Sequence, residues 1–319
     1  LASAAFVLGL TALFFLAVTA RALIGVANTS PTIRGIKLAL FGLAGVVGLG
    51  VFLALALAGG WSIPLMALAD LHAGWGLGGW AGVLLAAMAY TVVPMFQLTP
   101  GYPARAGWGF PNFMLVMLVL WSVAVFADWP WLARLGQLGC ALAGIAFAGL
   151  TLRLQGKRRR ARPDATYRYW QLGLIATILA LILLATAAVW PAAADLDGWT
   201  LIFGALLMAG GFLPFITGML YKIVPFLSWM HLQNAGQAKV PAPAMNKILP
   251  EIGMHRQLLA YTAALALLLA AQFEDEAIHI IGQVPGFGGI LAPGQIEERP
   301  HVDLAGRRVE QERGGDFMP

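Results

Sequence analysis

Five histidines and one cysteine are the side chains in this 319-residue chain best able to hold a metal or move a proton near neutrality. Cys140 stands alone in an apolar stretch. That excludes a disulfide framework and any multi-cysteine zinc or iron–sulfur site within one chain. His72 differs from the other histidines because it lies inside an apolar, glycine-rich run, DLHAGWGLGGWAGVLLAAMAYTVVPMF. An imidazole placed there is either bonded to a neighbouring carbonyl or acts as a ligand, since an unpaired polar group in hydrocarbon is costly. His231 in Trp229-Met-His-Leu and His255 in Gly-Met-His-Arg fall at helix ends, where histidines are usually solvated. His279 and His301 lie in the polar C-terminal segment and are assigned no role.

The elements that carry these residues follow from composition. The chain is 60% hydrophobic and only 11% charged, whereas a soluble domain keeps about a quarter of its residues charged. Spanning a hydrocarbon core takes about 20 mostly apolar residues. Eight such runs are present, at 3–26, 35–58, 65–96, 110–127, 131–152, 169–190, 199–230 and 256–272. The fold class is therefore an all-α, polytopic transmembrane bundle. Breaks such as Asn28-Thr29-Ser30-Pro31, Thr99-Pro100-Gly101-Tyr102-Pro103 and Asp128-Trp129-Pro130 separate the runs.

Lys and Arg collect in alternate connections. Arg21, Arg34 and Lys37 surround the first, Arg105 lies in the third, and Arg153, Lys157 to Arg160, Arg162 and Arg168 surround the fifth. Lys222, Lys239, Lys247 and Arg256 flank the seventh, and Lys222 is expected to snorkel towards the headgroups. By the positive-inside rule the odd connections are cytoplasmic and the N-terminus is outside. The segment RLQGKRRRAR then reads as a topology signal beside anionic lipid rather than a nucleic-acid site. The chain opens on Leu1 with no cleavable signal pattern, so the recorded sequence begins late or its start codon was translated literally. Residues 273–319 carry nine of the fifteen acidic residues and no spanning run. Two origins stay open for that segment, a genuine polar tail or an altered reading frame.

Two segments echo each other. Met88-Ala-Tyr90-Thr-Val-Val-Pro94 and Met219-Leu-Tyr221-Lys-Ile-Val-Pro225 both fit M-x-Y-x-[VI]-V-P, 131 positions apart, and the same offset aligns Gly79 with Gly210. They fall on the third and seventh helices, which run in the same direction. Helices 1–4 are thus expected to be duplicated in helices 5–8. The proline at each inner end kinks or ends its helix, and the tyrosine one turn earlier is a helix-end anchor.

His72 lies about 10 Å along the third helix from Leu65 at 1.5 Å per residue, in the outer third of the membrane. Gly76 and Gly79, four and seven residues on, lie below it on the same face. Missing side chains under a histidine suit either a flat ligand or the close approach of another helix. Met208 on the seventh helix lies at about the same depth.

The third helix, HAGWGLGGWAGVLLAAMAYTVVPMF, and the seventh, FGALLMAGGFLPFITGMLYKIVPFLSWMHL, resemble helices of uncharacterised bacterial membrane proteins related to haem-copper oxidase subunit I. That superfamily is built from arcs of four helices, and an early inward-running helix carries a histidine that ligates a low-spin haem. The resemblance implies a bacterial inner-membrane protein in which His72 binds haem b or a metal, with Gly76 and Gly79 below it. It covers about 200 residues. The departures are equally specific. The copper-ligating His-Pro-Glu-Val-Tyr segment is replaced by Phe203 to Pro214, no adjacent histidine pair exists, and no third arc follows Gln272. Oxygen reduction by this chain alone is excluded, and no catalytic residue is identified. A second axial ligand would come from a methionine such as Met208 or from a partner subunit. Two other readings stay open. One is a small-solute permease, suggested by duplicated helices broken at Gly210, Gly211 and Pro214. The other is a non-catalytic assembly subunit.

Overall fold

A computed structural model describes residues 2–159, 162–234 and 248–283 of the chain. Among the described residues there is no strand, and eight helices are long and apolar enough to cross a membrane. They are α1 (Ala2–Leu23), α2 (Pro31–Gly59), α3 (Leu65–Gln97), α4 (Ala104–Phe126), α5 (Pro130–Gly156), α6 (Ala165–Val189), α7 (Trp199–Gln233) and α8 (Glu251–Gln272). This is an integral membrane protein, all-helical in its regular structure among the described residues. The chain divides into two units, Leu1–Gln272 and Phe273–Pro319. The first holds the eight helices. The second is described only over 273–283, which are helical. Arg160, Lys239, Lys247 and His301 lie outside the described residues.

Local chemistry sets the helix starts. Ser30 caps α2, its hydroxyl accepting from the Ile33 amide, and Pro31 takes the first helical position, where a missing N–H costs nothing. Asp164 caps α6 in the same way, its carboxylate accepting from the Tyr167 amide at 2.9 Å. Helix α4 begins at Ala104, earlier than expected, and carries Pro111 inside it. Next to the proline, Asn112 donates its side-chain amide to the Trp108 carbonyl.

Exposed tryptophans mark one end of the bundle. Trp61, Trp129, Trp131 and Trp190 all stand at connections on the face opposite the arginine-rich ones, as an interfacial belt requires. Most large apolar side chains on the outer surface are exposed, while alanine and glycine dominate the helix seams. That inversion of a soluble core is how helices pack where lipid already solvates leucine.

Helices α3 and α7 are each interrupted by a π-helical segment, Trp75–Gly82 in α3 and Ala205–Phe212 in α7. These fall at equivalent places in the two halves, and each contains an adjacent glycine pair, Gly78-Gly79 and Gly210-Gly211. The seams match as well. Between α2 and α3, Gly35 meets Ala87, and Gly42 lies so close to Gly79 that a Cβ there would strike the Gly79 carbonyl. Between α6 and α7, Gly218 meets Tyr169 and Trp170, and Gly210 meets Ala176. Adding 131 to the α3 positions gives the α7 ones, and adding 134 to the α2 positions gives Tyr169 and Ala176 in α6. The α2 and α6 capping residues, Ser30 and Asp164, are also 134 apart.

The motif tyrosines act in packing. The Tyr90 hydroxyl donates to the Ala106 carbonyl of α4, and its ring meets Tyr102 and Phe147 edge-on. The Tyr221 ring packs on Tyr169. The halves meet in a core of Ala89, Val93, Ala148, Trp170, Leu174 and Phe215.

Candidate functional site

His72 lies one turn before the π segment of α3, and its ring faces α2. A Cβ on Gly50 would stand 3.0 Å from the imidazole Cε1. Its Nδ1 is buried and has no hydrogen-bond partner. Neither Asp70 nor a backbone carbonyl therefore satisfies that nitrogen. The matching position in α7 is Phe203, which stacks on Trp199. The duplication supplies a polar ring in one half only.

The glycines below His72 do not form an open face. Gly76 looks onto Val46, and Gly79 is pressed against Gly42. In order, 72, 76 and 79 on α3 oppose 50, 46 and 42 on α2, an antiparallel seam with small residues on both sides. Of the two uses open to this stripe, the close approach of α2 is the one seen at Gly79, because only glycine at 42 and 79 lets these backbones come so close. Met208 on α7 is 51% exposed, whereas the His72 ring lies against Gly50 of α2. A flat group seated against Gly79 does not fit this seam, since Gly42 already takes that space. What does fit is a single imidazole with one unpartnered nitrogen.

Among the described residues, no group of three or more His, Cys, Asp and Glu side chains is placed to hold a metal ion. Cys140 is buried and free. His231 is exposed at the end of α7, and His255 carries a buried, unpartnered Nδ1 near the start of α8. An open apolar groove of about 730 Å³ lies beside the His72 seam, between Phe41, Ala44 and Gly45 of α2 and Val119, Ser122 and Val123 of α4. Trp75 forms its floor, its indole N–H donating to the Ser122 hydroxyl at 2.9 Å.

Lys222 behaves differently from the snorkelling expectation. Its ammonium pairs with the Asp164 carboxylate at 2.7 Å, so the α6 cap is also an ion-pair partner of α7. In the first half the same joint is neutral, with the Thr91 and Thr32 hydroxyls sharing a 2.9 Å hydrogen bond. Sequence reasoning also missed two buried amides, Gln97 and Gln155, which meet at the C-terminal ends of α3 and α5. The available signal was polar character at the last turn of a spanning run, which ordinarily means solvent or headgroups.

No family model, no curated protein and no solved structure matches this chain.

Proposed function

We propose that this protein is a non-oxygen-reducing membrane subunit of two four-helix arcs, related to haem-copper oxidase subunit I, in which His72 offers one ligand to a haem or other metal-centred group. The remaining ligands come from outside the described residues, such as a partner subunit. The observation that carries this reading is the buried Nδ1 of His72, left without a partner in the outer third of α3 while its counterpart is Phe203. A buried imidazole nitrogen with no bond costs stability, and a bound ligand partner offsets that cost. The group, when bound, would supply redox or gas-sensing chemistry; His72 would hold it, and the α2 seam would orient the ring. The chain sits in a bacterial inner membrane with its N-terminus on the periplasmic side, supported by the Lys and Arg bias of the odd connections. The test is the visible spectrum of protein purified after haem-replete expression, alone and with co-purifying subunits. A Soret band lost in His72→Ala is expected, and a featureless spectrum in every preparation sinks the proposal.

A small-solute permease is the second reading, favoured by the π segments at matched places in α3 and α7. Such interruptions often mark functional sites, and in transporters they flank a mid-membrane binding place between repeats. Uptake by reconstituted vesicles, abolished by Pro214→Leu, is expected on this reading. Inert vesicles alongside a haem spectrum decide for the first.

A further inference from the structure

The inner ends of α3 and α5 are joined at three points, each from a different kind of group. The Gln155 amide donates to the Gln97 side-chain carbonyl at 2.8 Å. The Arg159 backbone N–H donates to the Leu98 carbonyl at 3.0 Å. The Thr151 hydroxyl donates to the Phe147 carbonyl and so accepts from the Tyr102 phenol, at 2.9 Å in both cases. Gln97 is 4% exposed, while Gln155 and Thr151 are fully buried.

Two features set this junction apart from ordinary packing. The Gln97 Nε2 donor and the Gln155 Oε1 acceptor are both buried without partners. They are the two atoms that would close the amide pair into a reciprocal, doubly bonded ring. The junction also contains Leu98 at φ 55°, a left-handed conformation that a leucine adopts only at a cost. Strain at the hinge and one bond unmade at the clasp occur within a single turn of chain. The position on α7 that matches Gln97 is Ser228.

We propose that Gln97, Leu98 and Gln155 form a two-state clasp at the cytoplasmic ends of α3 and α5, joining the two repeats. With one amide bond the clasp is loose and Leu98 is strained. With both bonds made, the ends of α3 and α5 are locked together. The two repeats are then free to shift relative to one another only when the clasp opens.

Hydrogen–deuterium exchange of the full chain in nanodiscs tests this, followed in peptides covering 93–103 and 150–159. Gln155→Leu strands the Gln97 amide and is expected to raise exchange about threefold or more in both peptides together. Gln97→Leu combined with Gln155→Leu removes both orphan groups and is expected to fall back towards wild type. Leu98→Gly, which relieves the strain without touching the amides, is expected to slow exchange in both peptides. Exchange that changes only on the mutated helix, or additive effects of the two glutamine substitutions, overturns the clasp. A Leu98→Gly protein exchanging at the wild-type rate overturns the two-state account even if the glutamines couple.

Discussion

At the scale of single residues, the buried ring of His72 makes opposite demands with and without a ligand. With nothing bound, its Nδ1 is an unsatisfied polar atom, and such an atom costs about 1–3 kcal/mol. Replacing His72 by Phe, the residue at the matching place in α7, is therefore expected to raise the stability of ligand-free protein by about 1 kcal/mol. Thermal unfolding in detergent measures this, and a clear loss of stability would mean the nitrogen has a partner after all. Tyr102 lies outside the spanning segments, and burial pushes its phenol above the ordinary tyrosine value, partly opposed by its bond to Thr151. The folded protein thus favours the neutral phenol. Its contribution is fully present below about pH 10, the unfolded tyrosine value, and is lost as pH rises beyond it. Tyr102→Phe should flatten that alkaline loss in a stability–pH profile while lowering stability at neutral pH.

At the scale of elements, the α2–α3 seam discriminates between glycines that the sequence makes look alike. Gly42→Ala would force its methyl into the Gly79 carbonyl and is expected to cost about 1–3 kcal/mol. At Gly76 the nearest atom to an added methyl is Val46 Cγ2 at 3.9 Å, an ordinary contact, so Gly76→Ala should be close to neutral. No loss at either position would restore the idea of an open ligand face. Which face of α3 is used was not legible in the sequence. The spacing 72, 76, 79 defines a stripe, but only the approach of α2, with its own stripe at 50, 46 and 42, decides what fills it. The π segments were hidden for a related reason, since an i to i+5 turn is built from the same residues as an α turn. The helices themselves were legible, because an apolar run of sufficient length is a local property. Gln97 and Gln155, 58 residues apart, needed the fold to bring them together.

For the whole molecule, duplication and asymmetry have to be read together. The same joint between the second and third helices of each half is a threonine pair in one and an ion pair in the other. Removing one ion-pair partner leaves a charge to be compensated, whereas removing one hydroxyl of an exposed threonine pair leaves a neutral group that water can bond. Lys222→Met is accordingly expected to destabilise more than Thr91→Val, by about 1 kcal/mol after allowing for the partial exposure of Lys222. Equal melting temperatures for the two variants would contradict this. The proposed orientation has its own check. In a Cys140→Ala background, Thr99→Cys should be shielded from an impermeant maleimide added to spheroplasts, and Leu196→Cys should react. The reverse pattern would invert the topology.

The two π segments also act as phase setters. Each turn that closes on the fifth residue holds one residue more than an α turn, and one residue corresponds to about 100° of rotation. If α3 kept every residue but re-formed as a continuous α-helix, everything from Val83 to Gln97 would turn by that angle. Tyr90 would swing away from Ala106 and Gln97 from Gln155 in a single step. Deleting one residue of the segment, such as Gly78, would cancel the turn. Re-forming Ala205–Phe212 as α-helix at full length would likewise carry Lys222 away from Asp164. The C-terminal halves of both helices thus owe their facing to a π turn that absorbs one surplus residue apiece.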